Sequence, residues 1–231
     1  HDGFNIYYES LGPADGRPLI LVSGSGEQIG SVEFPDEQCR VFAERGFRII
    51  RMDNRDAGLS TPTVELPEID MEKALSRGAA YSPIPYNRMD MADDIVAVLD
   101  DLGIERAHLL GASMGGFLVR WAAVRHPPRV SSLTVVMSGA GAGADDSGPQ
   151  FEVEVVRRLM MLTERHERDT AIDRNVELWR WLWGTEYPFE EDFVRERVSY
   201  AYDRSYRPEG YARQALSSIR SPGLWSTTTS C

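Results

Sequence analysis

The five residues Gly111-Ala112-Ser113-Met114-Gly115 constrain the fold of this chain more than any other feature. The apolar run Ala107-His108-Leu109-Leu110 leads into them, and Phe117, Leu118, Trp121 and Ala122 follow at helical spacing, so Ser113 falls between a strand and a helix. A Gly-x-Ser-x-Gly pentapeptide in that setting is a nucleophile elbow. The serine takes a strained backbone conformation, and Gly111 and Gly115 let strand and helix approach closely beside it. The start of the helix then aims free amides at Ser113. Acyl transfer to a serine passes through an oxyanion, for which one preorganised N–H donor is worth about 2.7–4 kcal/mol. Met114 N–H is the first expected donor of such an oxyanion hole. The second is expected at Ser25 N–H, because Leu19-Ile20-Leu21-Val22 runs into the small-residue turn Ser23-Gly24-Ser25-Gly26.

Strand-like runs at 4–9, 18–23, 47–53, 107–113 and 130–137 alternate with helical patterns, the order of a parallel α/β sheet whose early strands can pair antiparallel. Residues 36–45 read as a short helix with Cys39 packed inside. Met91, Ile95, Val98, Leu99 and Leu102 form the apolar stripe of a longer helix that Gly103 ends. Right-handed crossovers put helices on both sheet faces and leave the strand C-termini open for chemistry, where Ser113 lies. After Met137 a linker of small residues, 138–148, precedes a section with helical patterns only. There Val155, Val156, Leu159, Met160 and Leu162 make one apolar face, and Trp179, Trp181, Trp183, Tyr187, Phe189 and Phe193 an aromatic one, read as cap packing with some members free to line a pocket. The expected division is a core over 1–143, a helical cap over 144–215 and a divergent tail over 216–231.

Charge and composition narrow the function. Lys and Arg total 25 against 36 Asp and Glu, a net charge of −11, which argues against nucleic-acid and anionic-membrane partners. No apolar segment approaches the ~20 residues of a membrane helix, and no leader pattern opens the chain. With two cysteines, Cys39 and Cys231, a disulfide framework is not expected and a reducing, cytoplasmic setting is. No metal or cofactor is expected. The start at His1, just before an apolar run, suggests a partial chain.

Three motifs together carry a resemblance to the α/β-hydrolase superfamily, in its Ser-nucleophile branch with a helical cap: Ser23-Gly24-Ser25-Gly26, Asp53-Asn54-Arg55-Asp56-Ala57-Gly58-Leu59-Ser60, and Gly111-Ala112-Ser113-Met114-Gly115-Gly116. The segment Met89-Asp90-Met91-Ala92-Asp93-Asp94 also fits, and the chain is most similar to aclacinomycin-methylesterase-like hydrolases over residues 4–218. The resemblance implies an α/β-hydrolase fold, a mostly parallel sheet flanked by helices with an all-helical cap. It also implies a serine triad and small, hydrophobic, ester-like substrates.

Two departures accompany it. Ser23-Gly24 stands where many members carry His-Gly, which leaves the backbone donor intact. The family's triad acid and histidine follow later strands in the order Ser, Asp or Glu, His, whereas here the chain runs through 216–220 into Ser-Pro-Gly-Leu-Trp-Ser-Thr-Thr-Thr-Ser-Cys231, with neither a buried strand nor a histidine. The C-terminal strands are therefore expected to be absent. His126 ends the helix after the elbow, His108 begins the elbow strand about 17 Å below Ser113, His166 lies in the charged run 164–168, and His1 is terminal. For the acid, Asp145 and Asp146 follow the next strand, a position that some hydrolases of this superfamily use, but Asp-Asp-Ser-Gly is ordinary turn chemistry. The leading reading is a hydrolase of carboxylic esters, lactones or thioesters working through an acyl-serine at Ser113, incomplete as it stands. The alternative is a truncated or frameshifted chain that acts at most as a binding module. Nucleotide binding on a Rossmann-like fold is disfavoured, because Ile29 takes the place of the third glycine after Gly24 and Gly26.

Overall fold

The computed structural model of the chain describes residues 3–63, 84–139 and 158–220. Five strands form one sheet: β1 (Tyr8–Leu11), β2 (Arg17–Val22), β3 (Phe47–Met52), β4 (Ala107–Ala112) and β5 (Val130–Val136), in the spatial order β1-β3-β2-β4-β5. β1 pairs antiparallel with β3, and the other pairings are parallel. Strand order reverses between β2 and β4, and the crevice of an open α/β sheet lies at such a switch point, above the strand C-termini.

The run Leu19-Ile20-Leu21-Val22 shows how sequence sets this arrangement. Alternate residues point to opposite faces, and both faces are covered. Ile20 and Val22 enter the larger core with Ile50, Leu109 and Leu118, against helices α2 (Arg88–Asp101) and α3 (Met114–Arg125). Leu19 and Leu21 enter a smaller core on the other face with Ile49 and Phe34, against α1 (Asp36–Glu44), whose Cys39 is fully buried there as a free thiol. Asn87 and Asp90 close a capping box at the start of α2, and Gly103, at φ +64°, follows its end.

The strands after β1 match the expected positions to within a residue. The first does not: the ladder starts at Tyr8, not Phe4. Asn5 and Tyr7 spend their backbone groups on the loop after β3 instead, with Tyr7 N–H donating to Ser60 Oγ at 2.9 Å and Thr61 N–H to Asn5 O at 2.9 Å. β5 pairs with β4 on one side only among the described residues, and its Leu133 and Val136 are exposed.

Beyond the sheet lie α4 (Arg168–Trp183), α5 (Glu191–Ser205) and α6 (Pro208–Arg220). α4 and α5 pack through Ile172, Val176, Trp179, Val194 and Val198, and Val32 from the loop after β2 is built into the same cluster. Trp183, Phe189 and Phe193 pack against it, whereas Trp181 and Tyr187 are exposed. α6 runs unbroken across the expected boundary at 215/216, because Leu216 is buried with Ile95, Leu99 and Tyr86 in the core rather than released into a tail. The expectations for Val155, Val156, Asp145, Asp146, the linker after Gly139 and the tail after Arg220 lie outside the described residues.

Candidate active site

Ser113 stands between β4 and α3 at φ +50° and ψ −118°, a left-handed conformation that costs a non-glycine residue free energy and is held by its surroundings. Its N–H donates to Val136 O at 2.9 Å, and Gly116 N–H donates to Ser113 O at 3.1 Å. The elbow glycines are required by space. A Cβ on Gly111 would overlap the Gly115 carbonyl, and one on Gly115 would overlap the carbonyl of Val22 at the end of β2. Strand and helix therefore meet backbone to backbone, and the Ser113 side chain is left exposed above the sheet.

Of the two residues expected to supply oxyanion donors, Met114 adjoins Ser113 in the chain and Ser25 lies against Met114. Met114 N–H is the first amide of α3 and has no helical acceptor. Ser25 Oγ lies 3.3 Å from Met114 Sδ, so the two residues are neighbours in space. The amides flanking Ser25 are occupied, Gly24 N–H by Glu33 Oε2 at 2.6 Å and Gly26 N–H by Gln214 Oε1 at 2.7 Å, while Ser25 N–H has no acceptor among the described residues.

The Asp53–Ser60 segment buttresses this turn. Asp53 accepts from Ile29 N–H at 2.8 Å and Leu59 N–H at 2.9 Å, and pairs with Arg204 of α5 at 2.8 Å. Asn54 Nδ2 donates to Ser23 O at 2.9 Å. Arg55 is buried in a bidentate pair with Asp94 of α2, which gives the Met89–Asp94 segment its place in the site's support. Asp56 accepts from Tyr86 Oη at 2.7 Å and pairs with Arg213 of α6 at 2.9 Å.

None of the described histidines reaches Ser113. His108 Nδ1 bonds Ser132 Oγ at 2.7 Å low on the sheet, His126 Nε2 bonds Asp93 Oδ1 at 2.7 Å at the far end of α3, and His166 Nε2 faces Glu164 at 3.4 Å just before α4. His1 lies outside the described residues. Among the described residues no group of three or more His, Cys, Asp or Glu could hold a metal ion, and no helix is long and apolar enough to cross a membrane.

Two residues near Ser113 escape the motif reading. Glu33 shares one side of Gly24 with the nucleophile: a Cβ there would lie 2.8 Å from Glu33 Oε1, 3.0 Å from Ser113 Cβ and 3.4 Å from Ser113 Oγ. Desolvation, and then the charge of Glu27, push the Glu33 carboxyl up to about 8 against the lowering pull of the Gly24 amide. Desolvation likewise raises Glu27, against hydrogen bonds from Ser31 and Trp179. The available signal was two glutamates six positions apart in a loop otherwise of small, apolar and amide residues, 24–34. Gln214 and Arg213, which tie α6 to the turn, gave no signal, because they act across about 160–190 positions of sequence.

The α/β hydrolase fold family matches residues 17–173 of this chain. The rhodomycin D methylesterase of Streptomyces peucetius is 27% identical over 212 residues, covering 85% of this chain and 65% of that protein. A putative carbamate hydrolase of Variovorax paradoxus is 36% identical over 131 residues, 57% of this chain and 41% of that one. The chain thus spans 65% or less of the length of these relatives. Among solved structures, the enol-lactonase of Burkholderia xenovorans aligns over 96% of this chain and 73% of its own with a TM-score of 0.63 at 22% identity, a likeness of fold. A hydrolase of Pseudomonas aeruginosa aligns over 98% and 72% with a TM-score of 0.66, also at 22% identity.

Proposed function

Since the chain belongs to the α/β hydrolase fold family, we propose that it is a serine hydrolase of carboxylic esters, lactones or thioesters, with Ser113 as the nucleophile. The observation that carries the reading is the left-handed Ser113 backbone at the junction of β4 and α3, exposed and flanked by glycines that admit no side chain. Ser113 Oγ attacks the carbonyl, and the negative charge passes to the carbonyl oxygen, facing Met114 N–H and Ser25 N–H. Collapse of the tetrahedral species expels the alcohol or thiol and leaves an acyl-serine, which water hydrolyses. The relatives named as a methylesterase and a putative carbamate hydrolase support carbonyl chemistry of this kind without fixing the leaving group. A cytoplasmic setting belongs to the same reading, supported by the buried free thiol of Cys39.

Efficient turnover needs a base to take the Ser113 proton, normally an imidazole held by a carboxylate. The described histidines are engaged elsewhere. Slow capture of reactive acyl or phosphonyl groups is therefore expected of the 231-residue chain, with the contributions of the oxyanion donors and binding remaining. A fluorophosphonate probe tests this: slow labelling of the chain that disappears in Ser113→Ala supports the reading. Labelling that survives the substitution overturns the assignment of Ser113. No labelling at all favours the second reading, a catalytically inert binding module, which the placement of the histidines supports.

A further inference from the structure

A cleft of about 620 Å³ opens beside the elbow, between the ends of β4 and β5 and helix α4. Its lining includes Ala112, which precedes Ser113, and Val136, which pairs with Ala112 and accepts from Ser113 N–H. Trp179, Trp183 and Tyr187 form its wall. Its ionisable lining is unusual in sign: Glu33 and Glu190 carry carboxylates, and no lysine, arginine or histidine contributes among the described residues.

Glu33 places a carboxyl on the same side of Gly24 as Ser113 Oγ. The groups that face it are known from each element packed around it. Its own loop contributes Glu27 and the Gly24 amide. α6 contributes Tyr211, itself raised by burial and then by Glu27 and Glu33. α4 contributes the Trp179 indole, which bonds Glu27. Arg207 lines the smaller cavity on the Glu27 side but donates to Ser60 O at 2.7 Å. Two carboxyls thus sit in a desolvated place where no described residue forms an ion pair with either, beside a cleft lined by the Trp179 and Trp183 indoles, and aromatic rings attract cations.

We propose that this cleft binds the cationic end of an ammonium-bearing ester, seated between the Glu33 carboxylate and the Trp179 and Trp183 rings, with the scissile carbonyl at Ser113. The substrate class rests on the hydrolase reading of Ser113, whereas binding of the cation does not. The net charge of −11 adds long-range attraction for such a ligand. A bound ammonium supplies the missing counter-charge, so Glu33 gives up its proton as the cation enters, and binding strengthens as pH rises through about 8.

The test is calorimetric titration of the full chain with benzyltrimethylammonium and, as its uncharged counterpart, 3,3-dimethylbutan-1-ol. The cation is expected to bind about tenfold or more tightly at pH 9 than at pH 6.5, the alcohol weakly and equally at both. Glu33→Gln, checked for folding by its thermal melt, is expected to lose the pH dependence. Equal binding of cation and alcohol, or cation binding in the wild-type chain that ignores pH, overturns the proposal without reference to any variant. The two readings fail separately. Cation binding without Ser113-dependent fluorophosphonate labelling sinks the hydrolase and leaves the cation site, while labelling without cation binding does the reverse.

Discussion

At the scale of single residues, the elbow is a problem of space solved by two missing side chains. Gly115 is the stricter of them, because a methyl group there meets the Val22 backbone, which is fixed in the centre of the sheet and cannot move aside. Gly115→Ala is expected to destabilise the chain by about 3 kcal/mol, the upper range for forced overpacking, and a urea melt with unchanged m-value checks it. Ser113, Gly111 and Gly115 are legible in sequence because their spacing between two well-marked elements is a five-residue pattern, even though Val22 of β2 and Val136 of β5 complete the site. Glu33 is not. Its chemistry comes from burial and then from the charge of Glu27, and only the folded chain buries residue 33 and brings it near Tyr211.

At the scale of elements, α6 is both part of the outer helical section and a clamp on the core. Leu216 is buried in the main core, Arg213 pairs with Asp56, and Gln214 bridges two loops, accepting from Gly26 N–H and donating to Arg55 O at 2.6 Å. Gln214→Ala removes both of these hydrogen bonds in a place where Gln214 itself is fully buried. The expected loss is about 2–3 kcal/mol, measured by chemical denaturation. Because Gly26 adjoins Ser25, slower fluorophosphonate labelling should accompany the loss. Strands β2 to β5 and helices α1 to α3 were legible from apolar runs and stripes, since each buries a face dictated by its own period. The start of β1 and the course of α6 were not, because backbone hydrogen bonds to the 60–61 loop decide the first, and docking of Leu216 decides the second.

At the scale of the whole molecule, these local charges set how stability depends on pH. The Glu33 carboxyl is raised from 4.5 to about 8 in the folded chain, so the folded state holds a proton that the unfolded state releases above 4.5. Stability from this site is fully present below 4.5 and is lost as pH rises to about 8. Glu27, raised in the same way, acts in the same direction. Asp93 works oppositely: desolvation would raise its carboxyl, but hydrogen bonds from Arg125 and His126 hold it below its usual 3.8, so its contribution is lost as pH falls into that region. The thermal midpoint is therefore expected to peak in mildly acidic solution, near the lower end of the Glu33 window, and to decline steadily toward pH 8. Glu33→Gln replaces the titrating group by one that stays neutral and should flatten that decline, while leaving the acid limb intact. A midpoint that rises from pH 5 to 8 in the wild-type chain would show that Glu33 and Glu27 carry counter-charges after all, and benzyltrimethylammonium should reduce the alkaline loss only if the cation reaches the same carboxylate.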